Sequence, residues 1–161
     1  MCRGQDIINC GTPHYNVMLL SSMTSDSESS SKCRYLYARV LGAYHANVTY
    51  TGPGMLDYKP RRIDFLWVRW YQVQRAGTIS WKNSELPMVS FPPLASDTAF
   101  GFIDPSDVLR ACHIIPAFAS GQTHEDGVGV SSHARDRDDY HAYYVGWYAV
   151  SPQLHACATD V

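Results

Sequence analysis

The sequence predicts a mainly β domain, a small β-barrel with one short helical turn and long loops, from three observations. Period-two alternation runs through two stretches rich in Tyr, Trp, Val and Ile, the residue types that suit a pleated, half-buried surface. Several further short apolar runs are separated by Gly- and Pro-rich connections. No long amphipathic helical pattern and no internal repeat occurs anywhere in the 161 residues.

The first 33 residues contain the Ser-rich, acidic run "SSMTSDSESSSK". Such a run cannot bury enough apolar surface to offset its ordering entropy, so residues 1–33 are expected to form a disordered tail. The folded part begins at "RYLYARVLGAYHANVTY". Leu36, Ala38 and Val40 alternate with Tyr35, Tyr37, Arg39 and Leu41, and beyond Gly42 the alternation resumes with Tyr44, Ala46 and Val48. A long strand, or two, follows from this, with a bulge or bend at Gly42. "TGPG" marks a tight turn, and residues 55–61 read as a polar loop ending in Lys59-Pro60-Arg61.

"RRIDFLWVRWYQV" is the next strand. Leu66, Val68 and Trp70 form one face and Ile63, Phe65, Trp67, Arg69, Tyr71 and Val73 the other. Both faces are apolar at the centre, which predicts a strand covered on both sides. Short strands are expected within "LPMVSF", "AFGFI", "HIIPAF" and "YHAYYVGWYAV". In "DPSDVLRAC", Asp104 can cap a helical turn that Pro105 opens. Residues 120–139 read as an acidic, solvated loop that includes Asp136, Asp138 and Asp139. The domain is thus expected to span 34–150, with 151–161 a frayed tail.

The formal net charge of −2 argues against a protein that coats nucleic acid non-specifically, yet the charge is uneven. Between residues 34 and 75, Arg34, Arg39, Lys59, Arg61, Arg62, Arg69 and Arg75 oppose only Asp57 and Asp64. From residue 97 onward, Arg110, Arg135 and Arg137 face nine carboxylates. Five scattered cysteines form no CxxC pair and no disulfide framework, which suits a reducing, intracellular compartment. The first residues carry no signal-peptide pattern, and no apolar run is long enough to span a membrane.

A search for chemistry returns little. The Cys and His residues of the C-terminal half lack the tight spacing of a zinc site, and Cys112 is better placed as a small core residue. There is no nucleophile elbow, no phosphate-binding glycine loop and no convergent carboxylate pair. The reading is therefore a non-enzyme with no metal, no cofactor and no small-molecule substrate. Two other features stand out. "YLYAR" and "FLWVR" each place aromatics at alternate positions with an arginine on the same face: Tyr35, Tyr37 and Arg39, then Phe65, Trp67 and Arg69. Either the arginines snorkel over the aromatics from the flank of the sheet, or the face is an aromatic cage for a methylated lysine or a stacking platform for single-stranded nucleic acid. The trio Lys59, Arg61 and Arg62 is the better candidate for contact with an anion such as a phosphate.

The ordered blocks "YTGPG", "RRIDFLWVRW" and "DPSDVLRACHIIPAF" within residues 34–121 resemble the C-terminal segment of transposase-like proteins of mushroom-forming fungi, of the Plavaka and Kyakuja–Dileera–Zisupton kind. In such proteins this segment follows the catalytic region, so the resemblance implies an accessory domain, and the chain reads as a fragment or short solo copy. The family-like Asp138, Asp139, Tyr143, Tyr144 and Val145 are present, whereas "GWYAVSPQLHACATDV" departs from the pattern. The strand order is also similar to that of the bromo-adjacent homology (BAH) domain, an SH3-like barrel of chromatin proteins, over Tyr37 to Tyr44, Val68 to Tyr71 and Leu109 to Ile114. Together these imply an SH3-like or BAH-like barrel that contacts DNA or a chromatin protein, in the nucleus. The alternative is a transposon remnant with a structural role and no independent activity.

Overall fold

The computed structural model describes residues 15–21, 35–54, 57–75 and 86–146. Among the described residues eight strands run in chain order: β1 (Asn16–Leu20), β2 (Tyr35–Val48), β3 (Arg61–Arg75), β4 (Met88–Ser90), β5 (Phe100–Ile103), β6 (Val108–Ala111), β7 (His113–Pro116) and β8 (Tyr143–Gly146). One-turn 3-10 helices lie at Pro105–Asp107 and Phe118–Ser120. The first has the expected start, with the Asp104 carboxylate accepting from the Ser106 amide at 2.8 Å.

The fold is mainly β, and its hydrogen-bonded path is open: β6-β1-β2-β3-β4-β8-β7, with β5 added to β3. All the pairings are antiparallel. β3 is the spine, pairing β2 along one edge while β5 and then β4 take successive parts of the other. The two ends of the path belong to one run of chain, since Cys112 alone separates β6 from β7. The Cys112 amide donates to the Asn16 carbonyl at 2.8 Å.

Two apolar clusters lie on opposite faces of β2 and β3, so the expectation of a doubly covered strand holds. Ala38, Val40, Leu66 and Val68 join Val17, Leu19 and Ile103 in the first. Tyr37 and Tyr71 join Met18, Val89, Cys112, Tyr143 and Val145 in the second. Cys112 is the core residue it was expected to be, and burial pushes its thiol pKa up to about 12.

The tail boundary needs correction. Asn16–Leu20, inside the stretch expected to be disordered, is an interior strand between β2 and β6. Val17 is fully buried there. Five residues carry too short a pattern to stand out beside a Ser-rich run, and it is pairing on both edges that makes them a strand. Residues 1–14 and 22–33, and all of 151–161, lie outside the described residues.

Candidate functional site

A β-bulge organises the site. Arg39 faces Arg69 and Val40 faces Val68, but Gly42 faces Trp67 and Tyr44 faces Phe65. Leu41 is therefore the extra residue. Because side chains alternate with period two, one inserted residue switches which residues of β2 point to a given side. Tyr44 and Ala46 thereby arrive on the same face as Tyr37 and Arg39. The result is one long face of aromatics and arginines, which extends the one expected from alternation alone and is continued by Phe100 and Phe102 on β5, opposite Arg69 and Trp67.

This face has two halves. Its inner half is closed over by the loop expected to be solvated. Arg39 and Arg69 are 7% and 4% exposed, and both reach Asp139, which is 2% exposed. Arg39 Nη1 donates to Asp139 Oδ1 at 2.7 Å, and Arg69 Nη1 to Oδ2 at 2.5 Å. The same two nitrogens donate to the carbonyls of Arg135 and Ala134, at 3.1 and 3.4 Å. Phe91 lies beneath both guanidiniums, 4.5 Å from that of Arg39 and 3.8 Å from that of Arg69, and stacks on Tyr71 at 4.1 Å. The Tyr143 hydroxyl donates to Asp139 Oδ1 at 3.1 Å, and burial, then the nearby Asp139 charge, pushes its pKa up to about 12. The arginines are thus not snorkelling residues at a flank. They are interior cations, tolerable there because a carboxylate and carbonyls meet them.

Asp136 holds the loop itself. It is buried, and it accepts from the amides of Val130 at 2.8 Å and Ser131 at 3.0 Å. His124 Nε2 lies 3.3 Å from its Oδ2. Burial pushes the Asp136 pKa up, but the amides of Ser131 and Val130, with His124 beside them, outweigh it and hold it below its ordinary value. The solvated-loop reading therefore fails for Asp136 and Asp139 and holds for Asp138, which is exposed. Spacing alone cannot separate these carboxylates, because the partners of Asp139 are about a hundred residues away on β2 and seventy on β3.

The outer half is open. Phe65 stacks on Tyr44 with centroids 5.9 Å apart and meets Phe102 edge-on at 5.5 Å. Trp67 stacks on Phe100 at 6.0 Å and borders the loop through His133. Tyr44, Ile63 and Phe102 are 50%, 50% and 69% exposed. An added Cβ at Gly42 would come within 2.6 Å of the Tyr44 ring that lies over it, so a larger residue there would push that exposed ring aside. Of the predicted aromatic–arginine residues, Arg39, Arg69 and Tyr37 are interior, whereas Tyr35, Phe65 and Trp67 are half-buried. Tyr44 and Phe102 were not expected to belong to this face.

Beyond the rings, the β2–β3 ribbon runs out to its tip with nearly every residue exposed. There Lys59 and Arg61 line a cleft of about 460 Å3 with Val48, Tyr50, Asp57 and Ile63. The basic trio is divided. Lys59 lies in the loop, whereas Arg61 and Arg62 open β3. Arg62 alternates to the opposite face and pairs with Asp64 at 2.8 Å.

Among the described residues, no group of three or more His, Cys, Asp or Glu side chains is placed to hold a metal ion, and no helix is long and apolar enough to cross a membrane. Comparison with protein-family models, curated proteins and solved structures found no match to this chain.

Proposed function

We propose that this chain is a non-catalytic binding domain that contacts DNA through the tip of the β2–β3 ribbon. The observation that carries the reading is the convergence of Lys59 and Arg61 with Tyr50 on one open cleft at the end of an exposed two-stranded arm. Cations on an exposed β-ribbon can meet phosphates while the ribbon lies along a groove, since the major groove of DNA admits a structure of that width. The likeness to fungal transposase-like segments favours the same job, and so does the likeness to BAH domains. In that reading the open sheet is an SH3-like barrel whose ring is completed covalently through Cys112, and the protein works in the nucleus.

The test is fluorescence anisotropy of a labelled duplex at low salt. Affinity is expected to fall steeply with salt. Lys59→Ala/Arg61→Ala is expected to flatten the slope of log affinity against log salt by about 2, roughly one for each phosphate that is no longer neutralised. Arg62→Ala, whose guanidinium is already engaged by Asp64, is expected to change the slope least. Absence of binding to any DNA, double- or single-stranded, at low salt, in a chain that unfolds cooperatively, would overturn the reading in favour of a purely structural remnant.

A further inference from the structure

The geometry points to single-stranded nucleic acid as the form this surface takes, with unpaired bases stacking on the open rings of Tyr44 and Phe102 around Phe65. The inference rests on the proposed DNA contact and specifies its ligand. Three features carry it. The rings lie on one sheet face and in contact with one another, Tyr44 stacked on Phe65 at 5.9 Å and Phe102 edge-on to it at 5.5 Å, so they form one contiguous aromatic patch. Half or more of the surface of Tyr44 and Phe102 is open to solvent, although aromatic side chains of that size normally bury most of theirs. The same face ends in Arg61, which joins Lys59 at the cleft, so phosphates and bases would be met along one line.

Charge complementarity selects the occupant. Asp64 is on the reverse face and tied to Arg62, which leaves Asp57 as the carboxylate that lines the cleft beside Lys59 and Arg61. Aromatic rings beside cations suit a polyanion with exposed π-faces, and every base offers such a face once unpaired. A duplex hides those faces inside its own stack and could meet only the cations.

The experiment compares an oligothymidylate of about 12 nucleotides, a length a small β domain covers, with a duplex of equal length. The full chain is expected to bind the single strand about ten-fold more tightly than the duplex. Tyr44→Ala/Phe102→Ala is expected to weaken single-strand binding at least about ten-fold and to leave duplex binding within about two-fold. Both substituted rings are largely exposed, so the thermal midpoint serves as the folding control, and Tyr44→Phe should retain single-strand affinity. If the double variant binds the single strand normally while Lys59→Ala/Arg61→Ala weakens both ligands, stacking is refuted and the DNA contact stands. If neither oligonucleotide binds, both readings fall. Should the chain instead dimerise, with the dimer absent in the Tyr44/Phe102 variant and no oligonucleotide bound, the face belongs to a second copy and the inference is overturned.

Discussion

Asp139 ties three interior side chains together. One carboxylate meets two guanidiniums and a phenol, all but the phenol drawn from strands far from it in sequence. Removing its charge leaves two buried cations without a counter-ion, which costs about 3–5 kcal/mol for an interior pair broken on one side. Asp139→Asn should therefore lower the urea unfolding midpoint by an amount corresponding to at least about 3 kcal/mol. A change below about 1 kcal/mol would mean that the arginines are solvated in the native state. Asp136 makes a different prediction, because its amide bonds hold its pKa below the unfolded value near 3.9. A carboxylate depressed on folding stabilises the native state above that unfolded value and loses the contribution as pH falls through the folded one. The thermal midpoint of the wild type should therefore exceed that of Asp136→Asn at about pH 6, and the gap should narrow below about pH 4. A gap that widened on acidification would contradict the assignment.

At the scale of elements, the bulge at Leu41 and the strand β1 decide the outcome. The bulge brings Tyr44 onto the face of Arg39, which makes an inner polar core and an outer aromatic platform parts of one surface. Gly42 as a point of irregularity was legible from the sequence, since a glycine in an alternating run marks a bulge or a close approach. That it would join two halves of one face was not, because this depends on the register with β3. Strand β1 pairs on both edges, with β2 and with β6. A chain lacking residues 1–21 should accordingly lose cooperative unfolding, although a boundary drawn from composition at residue 34 would discard that segment as tail. Thermal unfolding followed by circular dichroism checks this, and a truncated chain that melts as sharply as the full one would show β1 to be dispensable.

For the whole molecule, the charge asymmetry of the sequence shrinks in three dimensions. Of the seven cations between residues 34 and 75, Arg39 and Arg69 are engaged internally by Asp139, and Arg62 pairs with Asp64. The front-to-rear part of this pairing, Arg39 and Arg69 with Asp139, is an intramolecular clasp that closes the loop over the sheet. What the ribbon tip offers a partner is the pair Lys59 and Arg61, which limits the steepness of any salt dependence to a few counter-ions.

The sequence by itself determined that the chain is mainly β, where most of the strands lie, and that β3 is covered on both faces. These follow from local alternation and turn residues, which act over a few positions. It also named Lys59, Arg61 and Arg62 as candidates for contact with an anion, and all three are exposed. Only the tertiary structure decided that Arg39 and Arg69 are interior, that Asp136 and Asp139 are not solvated, and that Tyr44 and Phe102 complete an open aromatic face. The physical reason is that charge and exposure are properties of the partners a side chain meets. Those partners are set by strand register and loop closure across as many as a hundred residues, beyond the reach of any local pattern.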